Sequence, residues 1–152
     1  MKILDVLKKQ AVLADLKSRD KKGIVEELSE PVAGIAGVSH DELVRILMER
    51  EQLGSTAIGG GIGIPHGKMK GLESLAMGVG LSRRGVEFES IDGRLTHIFF
   101  LLLAPENSTG LHLKCLAQVS RMLKSEPFKE RLLNSGTSDE IFNIIRSEDE
   151  EF

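Results

Sequence analysis

The sequence predicts an α/β fold, with a mixed parallel and antiparallel sheet of about five strands and helices packed on both of its faces. Two runs in the middle of the chain, residues 75–82 (LAMGVGLS) and 96–105 (THIFFLLLAP), have the length and apolar character of buried strands. Segments with a helical spacing of apolar residues lie before and after them. Because these helices and strands do not alternate strictly, a mixed sheet is favoured over a purely parallel one.

The N-terminal third of the chain predicts one short strand and two helices. Residues 11–16 (AVLADL) form the strand candidate. The first helix is capped by Asp20, disturbed near Pro31 and ended by Gly37. The second helix spans residues 39–54, where apolar side chains recur at helical spacing.

Capping signals mark the second helix and the last one. In a capping box, a Ser or Thr side chain and a Glu three residues later each accept a hydrogen bond from the other's backbone N–H. Ser39 with Glu42, and Thr137 with Glu140, have this spacing, and Gly54 is suited to end the second helix. The remaining elements, in chain order, are a short strand at residues 85–90 and helices at 110–124, 126–135 and 137–148.

Length and composition favour one domain over residues 1–152, with an acidic tail at about 148–152 that is expected to fray. The net charge of −3 gives no electrostatic basis for binding nucleic acid. No apolar run reaches the roughly 18 residues of a membrane span, and the N-terminus lacks the apolar run of a signal peptide. Cys115 is the only cysteine, so no intramolecular disulfide or cysteine zinc site can form, which suits a cytoplasmic protein without a metal.

A glycine-rich stretch at residues 55–71 (STAIGGGIGIPHGKMKG) resembles a phosphate-binding loop but fits neither nucleotide motif. A Walker loop ending at Lys68 would need glycine at the position of Ile62. A dinucleotide fingerprint would need a small residue at the position of His66. A nucleotide- or small-ligand-binding domain is therefore the most remote of the functional alternatives.

The end of the glycine-rich stretch can present a histidine. Pro65 fixes its own φ angle and favours extended geometry at Ile64, so a strand ending there would place His66 at its tip, with Gly67 leaving the rim open. A neutral imidazole is a competent nucleophile near pH 7. The alternative is a plain turn with a surface histidine, and spacing alone does not decide between the two.

Arg50 is a candidate anion-binding residue because it falls within the apolar arc of the second helix. That arc is formed by Leu43, Ile46, Leu47 and Leu53. A guanidinium placed there needs an anion or a carbonyl as partner. The alternative is a structural salt bridge to a nearby carboxylate, for which Glu51 is the candidate.

His112 lies in the first turn of the helix predicted at residues 110–124, inside its apolar arc. That arc is formed by Leu111, Cys115, Leu116, Val119, Met122 and Leu123. A helix N-terminus attracts phosphoryl groups, so His112 could bind an anion there. The alternative is a core histidine bonded to a backbone carbonyl. His40 and His97 are expected to be surface or packing residues.

Residues 50–68 (REQLGSTAIGGGIGIPHGK) and 101–116 (LLLAPENSTGLHLKCL) resemble the mannitol/fructose-type enzyme IIA domains of the bacterial phosphoenolpyruvate-dependent phosphotransferase system. The resemblance covers essentially the whole chain. It implies a phosphotransferase in which His66 is phosphorylated, by a histidine-containing phosphocarrier protein or its nitrogen-branch paralogue, without a cofactor or metal. It also implies that His112 is the second active-site histidine and Arg50 the basic residue near the phosphate. Ser55 and Thr56 would line the same site.

The motif LGSTAIG, residues 53–59, is more similar to the nitrogen-regulatory branch of this family than to the sugar branch. In that branch the partners after phosphorylation are regulatory target proteins, whereas a sugar-specific enzyme IIA passes the group to a IIB component. The family often has Asn where Gly60 stands. The departure predicts a freer loop with altered hydrogen bonding, without touching His66.

Overall fold

The computed structural model describes residues 2–150 as a six-stranded mixed sheet with helices on both faces, which confirms the predicted fold class. The elements in chain order are a 3-10 turn at Ile3–Asp5, β1 (Leu7–Leu13), α1 (Lys21–Ala36), α2 (His40–Gln52), β2 (Ala57–Gly59), β3 (Ile62–Gly63), β4 (His66–Met69), β5 (Ala76–Val86), β6 (Thr96–Pro105), α3 (Thr109–Met122), α4 (Glu126–Asn134) and α5 (Ser138–Asp149). No helix within residues 2–150 is long and apolar enough to cross a membrane.

Strand β6 organises the sheet, whose strand order is β1-β5-β6-β3-β2 with β4 also paired to β6. β5 runs antiparallel to β6, whereas β3 and β4 run parallel to it, and β1 runs parallel to β5. Successive side chains of a strand point to opposite faces. Phe100 and Leu102 accordingly join the core under α3, α4 and α5, while Phe99 and Leu101 join the core under α1 and α2.

The helix boundaries follow the predicted caps. The Asp20 side chain accepts a hydrogen bond from the Gly23 N–H, and Gly37 ends α1 in the left-handed conformation with φ 70°. The Ser39 hydroxyl accepts from the Glu42 N–H at the start of α2. α1 continues as one helix through Pro31, which cannot donate the usual backbone hydrogen bond, and its buried side chains pack on the sheet.

Two predicted strand boundaries are wrong. The first strand begins at Leu7 and ends at Leu13, instead of spanning residues 11–16. Residues 87–90 form no separate strand, because β5 already runs to Val86 and the next segment bonds through the Phe88 carbonyl to the Ser55 hydroxyl. Residues 148–149, expected to fray, lie in the last turn of α5, and residues 151–152 of the predicted tail lie outside the described residues.

The three consecutive glycines form a tight β2–β3 hairpin rather than a free loop. Gly60 and Gly61 are its two central residues, with φ 66° and 80°, and positive φ at both positions is the signature of a type I′ turn. The Gly60 N–H donates to Asp92 Oδ2 (3.0 Å), and Lys129 Nζ donates to the Gly60 carbonyl (3.2 Å). The loop is therefore hydrogen-bonded on both sides without an Asn side chain.

Gly60→Asn is expected to stabilise the protein by about 0.5 kcal/mol, because Asn tolerates this backbone conformation and restricts the unfolded chain. An added Cβ would meet only Lys129 Nζ, at 3.2 Å, the movable end of a long side chain. Gly60→Val is the matched control and should destabilise, since a β-branched residue is strained at positive φ. Urea unfolding of the three proteins measures the effect, and equal losses for Asn and Val would contradict it.

Candidate active site

His66 is held by backbone contacts on both sides. It is the first residue of β4, opposite Leu102 of β6, so it begins a strand rather than ending one as predicted. The Leu102 N–H donates to the Pro65 carbonyl (2.9 Å), and the Ile64 N–H donates to the Thr56 carbonyl (3.0 Å). Ile64 and Pro65 are buried. Ile64 and Pro65 separate β3 from β4, and their hydrogen-bonded backbone fixes the position from which the His66 side chain points outwards.

The His66 ring has a defined tautomer. Its Nδ1 lies 2.7 Å from the Ile64 carbonyl oxygen, which can only accept, so Nδ1 carries the proton and donates. Burial lowers the pKa of His66 below 6.5, and the nearby Arg50 charge adds to this effect, while the Ile64 hydrogen bond and Glu51 oppose it. At neutral pH the ring is therefore uncharged, with an unprotonated lone pair on Nε2.

His112 meets His66 edge to face, with ring centroids 5.5 Å apart and planes at 82°. Only 4% of His112 is exposed. Its Nδ1 has no hydrogen-bond partner within residues 2–150, so this nitrogen does not form the bond to a backbone carbonyl that the alternative requires. Burial, followed by the His66 and Lys68 charges, lowers the pKa of His112 to about 4. It is a neutral hydrogen-bonding group at physiological pH.

Arg50 lies on the same side of the molecule and forms no salt bridge within the described chain. Its Nη1 donates to the Gly54 carbonyl at 2.9 Å. The alternative partner, Glu51, is buried and instead accepts from Lys21 Nζ (3.0 Å) and from Thr56. The guanidinium is thus a cation not neutralised by a carboxylate.

His66, His112 and Arg50 line one cavity of about 620 Å³, whose further lining includes Lys68 and Thr109. Its apolar wall is formed by Ile46, Leu53, Leu113 and Leu116. Two residues of the predicted apolar arcs are exposed in the structure, Leu53 at 85% and Leu111 at 45%, and Leu53 borders the site. Within residues 2–150 no three metal-ligating side chains lie together.

Ser55 and Thr56, predicted to line the site, are not among the residues that line this cavity. The Ser55 hydroxyl donates to the Phe88 carbonyl (2.6 Å), and Thr56 is bonded to the buried Glu51 carboxylate. Both residues therefore anchor the chain between α2 and β2.

Lys68 is a cavity residue that the motif reasoning missed. It follows His66 by two positions in β4, so both side chains leave the same face of the strand. Lys68 Nζ donates to Thr109 Oγ1 at 2.7 Å. The alternation within HGKM is the sequence signal that could have identified it.

The free energy of unfolding is expected to fall as the pH drops from about 6.5 towards 4. In this window the unfolded chain protonates His112 at its ordinary pKa near 6.5, whereas the folded chain does so only at about 4. The lowered pKa of His66 acts in the same direction. Urea unfolding at about pH 7, 5.5 and 4.5 should show a smaller loss for His112→Asn than for the wild type. Parallel curves for the two proteins would contradict the assignment.

Comparison with known proteins identifies the family of this chain. The family model described as "Phosphoenolpyruvate-dependent sugar phosphotransferase system, EIIA 2" matches residues 5–148. A nitrogen regulatory protein of Bradyrhizobium diazoefficiens is 36% identical over 145 residues, covering 95% of each chain. A fructose-specific EIIABC component of Bacillus subtilis is 33% identical over 98% of this chain, which spans 24% of that protein.

The crystal structure of the nitrogen regulatory protein IIA-Ntr from Neisseria meningitidis superposes with a TM-score of 0.87 at 30% identity, covering 93% of this chain and 97% of that one. Sequence and fold thus agree with the resemblance read from the motifs around His66 and His112. The chain belongs to the EIIA type 2 family of the phosphoenolpyruvate-dependent phosphotransferase system.

Proposed function

We propose that this protein is a phosphocarrier that accepts a phosphoryl group on Nε2 of His66 from a histidine-containing phosphocarrier protein and serves as a nitrogen-related regulatory protein. The observation that carries the proposal is the Nδ1–H bond to the Ile64 carbonyl, which leaves Nε2 as the nucleophilic nitrogen beside a cationic cavity. The low pKa of His66 keeps that nitrogen unprotonated at neutral pH.

Phosphoryl transfer requires in-line positioning and charge stabilisation rather than further covalent chemistry. The P–N bond of the donor phosphohistidine breaks as the bond from His66 Nε2 to phosphorus forms. Arg50 would bind phosphoryl oxygens through guanidinium donors not used on Gly54. His112, neutral and in contact with the His66 ring, would donate a ring N–H to the same group. Ser55 and Thr56 would act indirectly by holding the chain that follows α2.

The rim of the cavity suits a protein partner. Leu53 and Leu113 are 85% and 60% exposed, and both border the cavity that contains His66. Exposed apolar side chains around a polar site are typical of protein-binding surfaces. The phosphocarrier donor and the recipient would therefore dock on the same surface, one after the other.

The regulatory role rests on the LGSTAIG motif and on the similarity to nitrogen regulatory proteins over 95% of both chains. The second candidate is a sugar-specific enzyme IIA that passes the group to a IIB component, and the similarity to a fructose-specific EIIABC component favours it. Both roles use the same residues, because a phosphoryl group on the surface changes charge and can create or block an interface.

The test is transfer of ³²P from a phosphorylated carrier protein to the purified chain. We expect an acid-labile, alkali-stable phosphoprotein, as a phosphohistidine requires. Adding each IIB component of the organism in turn then separates the two roles. Rapid loss of label to one IIB component would establish the sugar role, whereas retention with all of them supports the regulatory role.

A further inference from the structure

Lys68 has a position that the family-based assignment of His66, His112 and Arg50 does not use. It shares a strand face with His66 and lines the same cavity. Its ammonium is fixed by one hydrogen bond, to Thr109 Oγ1 at 2.7 Å. An ammonium has three donors, so two remain for another acceptor.

The charges around the cavity favour an anion beside Lys68. The charged side chains that line it are Glu49, Arg50 and Lys68. Glu49 is paired with Arg45 Nη1 at 2.7 Å, whereas Lys68 has no carboxylate within 4.0 Å among the described residues. The Lys68 charge also contributes to the lowered pKa of His112. Arg50 and Lys68, two cations without a carboxylate partner among the described residues, therefore line the cavity together with the two histidines.

We propose that Lys68, positioned by Thr109, binds a phosphoryl oxygen of phosphorylated His66 and thereby sets the equilibrium between the phosphorylated and free forms of the protein. This inference rests on the proposed phosphorylation of His66. The group carries up to two negative charges, and charge-assisted hydrogen bonds to it are strong. Since Lys68 contacts the product of the transfer, it shifts the equilibrium towards the phosphorylated chain.

The test compares Lys68→Met with the wild type, because Met keeps the apolar stem and removes the charge. With a fixed ratio of phosphorylated to free carrier, the equilibrium constant for transfer should fall by at least about tenfold. Lys68→Arg should restore most of it, and Thr109→Val should show a smaller loss. Lys70→Met is the matched control, since Lys70 is exposed and outside the cavity lining, and it should behave as the wild type.

A second measurement separates direct contact from a structural role. In ³¹P NMR, loss of a contacting ammonium should raise the pKa of the phosphoryl group of the phosphoprotein, while Lys70→Met leaves it unchanged. If the wild type is phosphorylated on His66 but Lys68→Met matches it in both measurements, the role of Lys68 is refuted. If the wild type is not phosphorylated on His66, the proposed function itself fails.

Discussion

Replacing His66 by alanine is expected to abolish phosphorylation by a phosphorylated carrier protein, with a rate at least about a thousandfold below the wild type. His112, the other histidine that lines the cavity, is not held in the same tautomer by a backbone hydrogen bond from its Nδ1. His112 is 4% exposed, whereas the His66 ring is half-buried and donates from Nδ1 to a carbonyl, which leaves Nε2 available for attack. Incorporation of ³²P over time, with intact-protein mass spectrometry, measures the loss.

Two variants serve as controls for His66→Ala. His40→Ala should be phosphorylated as the wild type is, since its ring bonds to the Glu26 carbonyl and does not line the cavity. His112→Ala should still accept the group but pass it on more slowly. Phosphorylation of His66→Ala at the wild-type rate would refute the site, and undiminished acceptance and onward transfer in His112→Ala would refute the role of His112.

Asp149→Ala is expected to reduce the free energy of unfolding by about 3 kcal/mol, or roughly 10 °C in Tm for a chain of this size. Asp149 is 2% exposed, and its carboxylate accepts hydrogen bonds from the N–H groups of Ile3 and Leu4 and from Gln118 Nε2. Alanine would leave these donors buried without a partner, which costs more than the bonds themselves.

The matched control is Glu150→Ala, one position further along and exposed, which should change stability by less than about 0.5 kcal/mol. Asp149→Asn should lie between the two, since one amide oxygen can still accept but the amide nitrogen faces donors. Urea or thermal unfolding followed by circular dichroism measures all three. Equal effects of Asp149→Ala and Glu150→Ala would contradict the role of Asp149 as a buried acceptor.

Local chemistry accounts for the parts of the fold that the sequence predicts well. Strand β6 coincides with the predicted run at 96–105, and the caps at Asp20 and Ser39 form as expected, because each signal lies within a few residues. Strands β2, β3 and β4 have two to four residues each, too short for a periodicity. They depend on long-range pairing, since β3 and β4 pair with β6 and β2 pairs with β3. A contact such as Asp149 with Ile3 spans the chain and leaves no local pattern.

The candidate site also combines local features, which the sequence predicts, with long-range contacts, which it does not. Pro65 and the glycines around His66 predict an exposed histidine, because their backbone constraints are local. The choice of partner for Arg50 was not predictable, since Lys21 from another helix takes the neighbouring Glu51 carboxylate. Lys68 and Thr109 meet only because β4 lies beside β6, whose end leads into α3.

The way β6 holds the histidine has a consequence for the proposed phosphorylation of His66. His66 is anchored to Leu102, which is 1% exposed, and its own ring is tied to the main chain two residues earlier. Phosphorylation on Nε2 requires none of these bonds to break. The two forms of the protein are therefore expected to share one shape and to differ by up to two units of negative charge at one spot on the surface. A partner would distinguish them by electrostatic potential, and its preference for one form should weaken as the salt concentration rises.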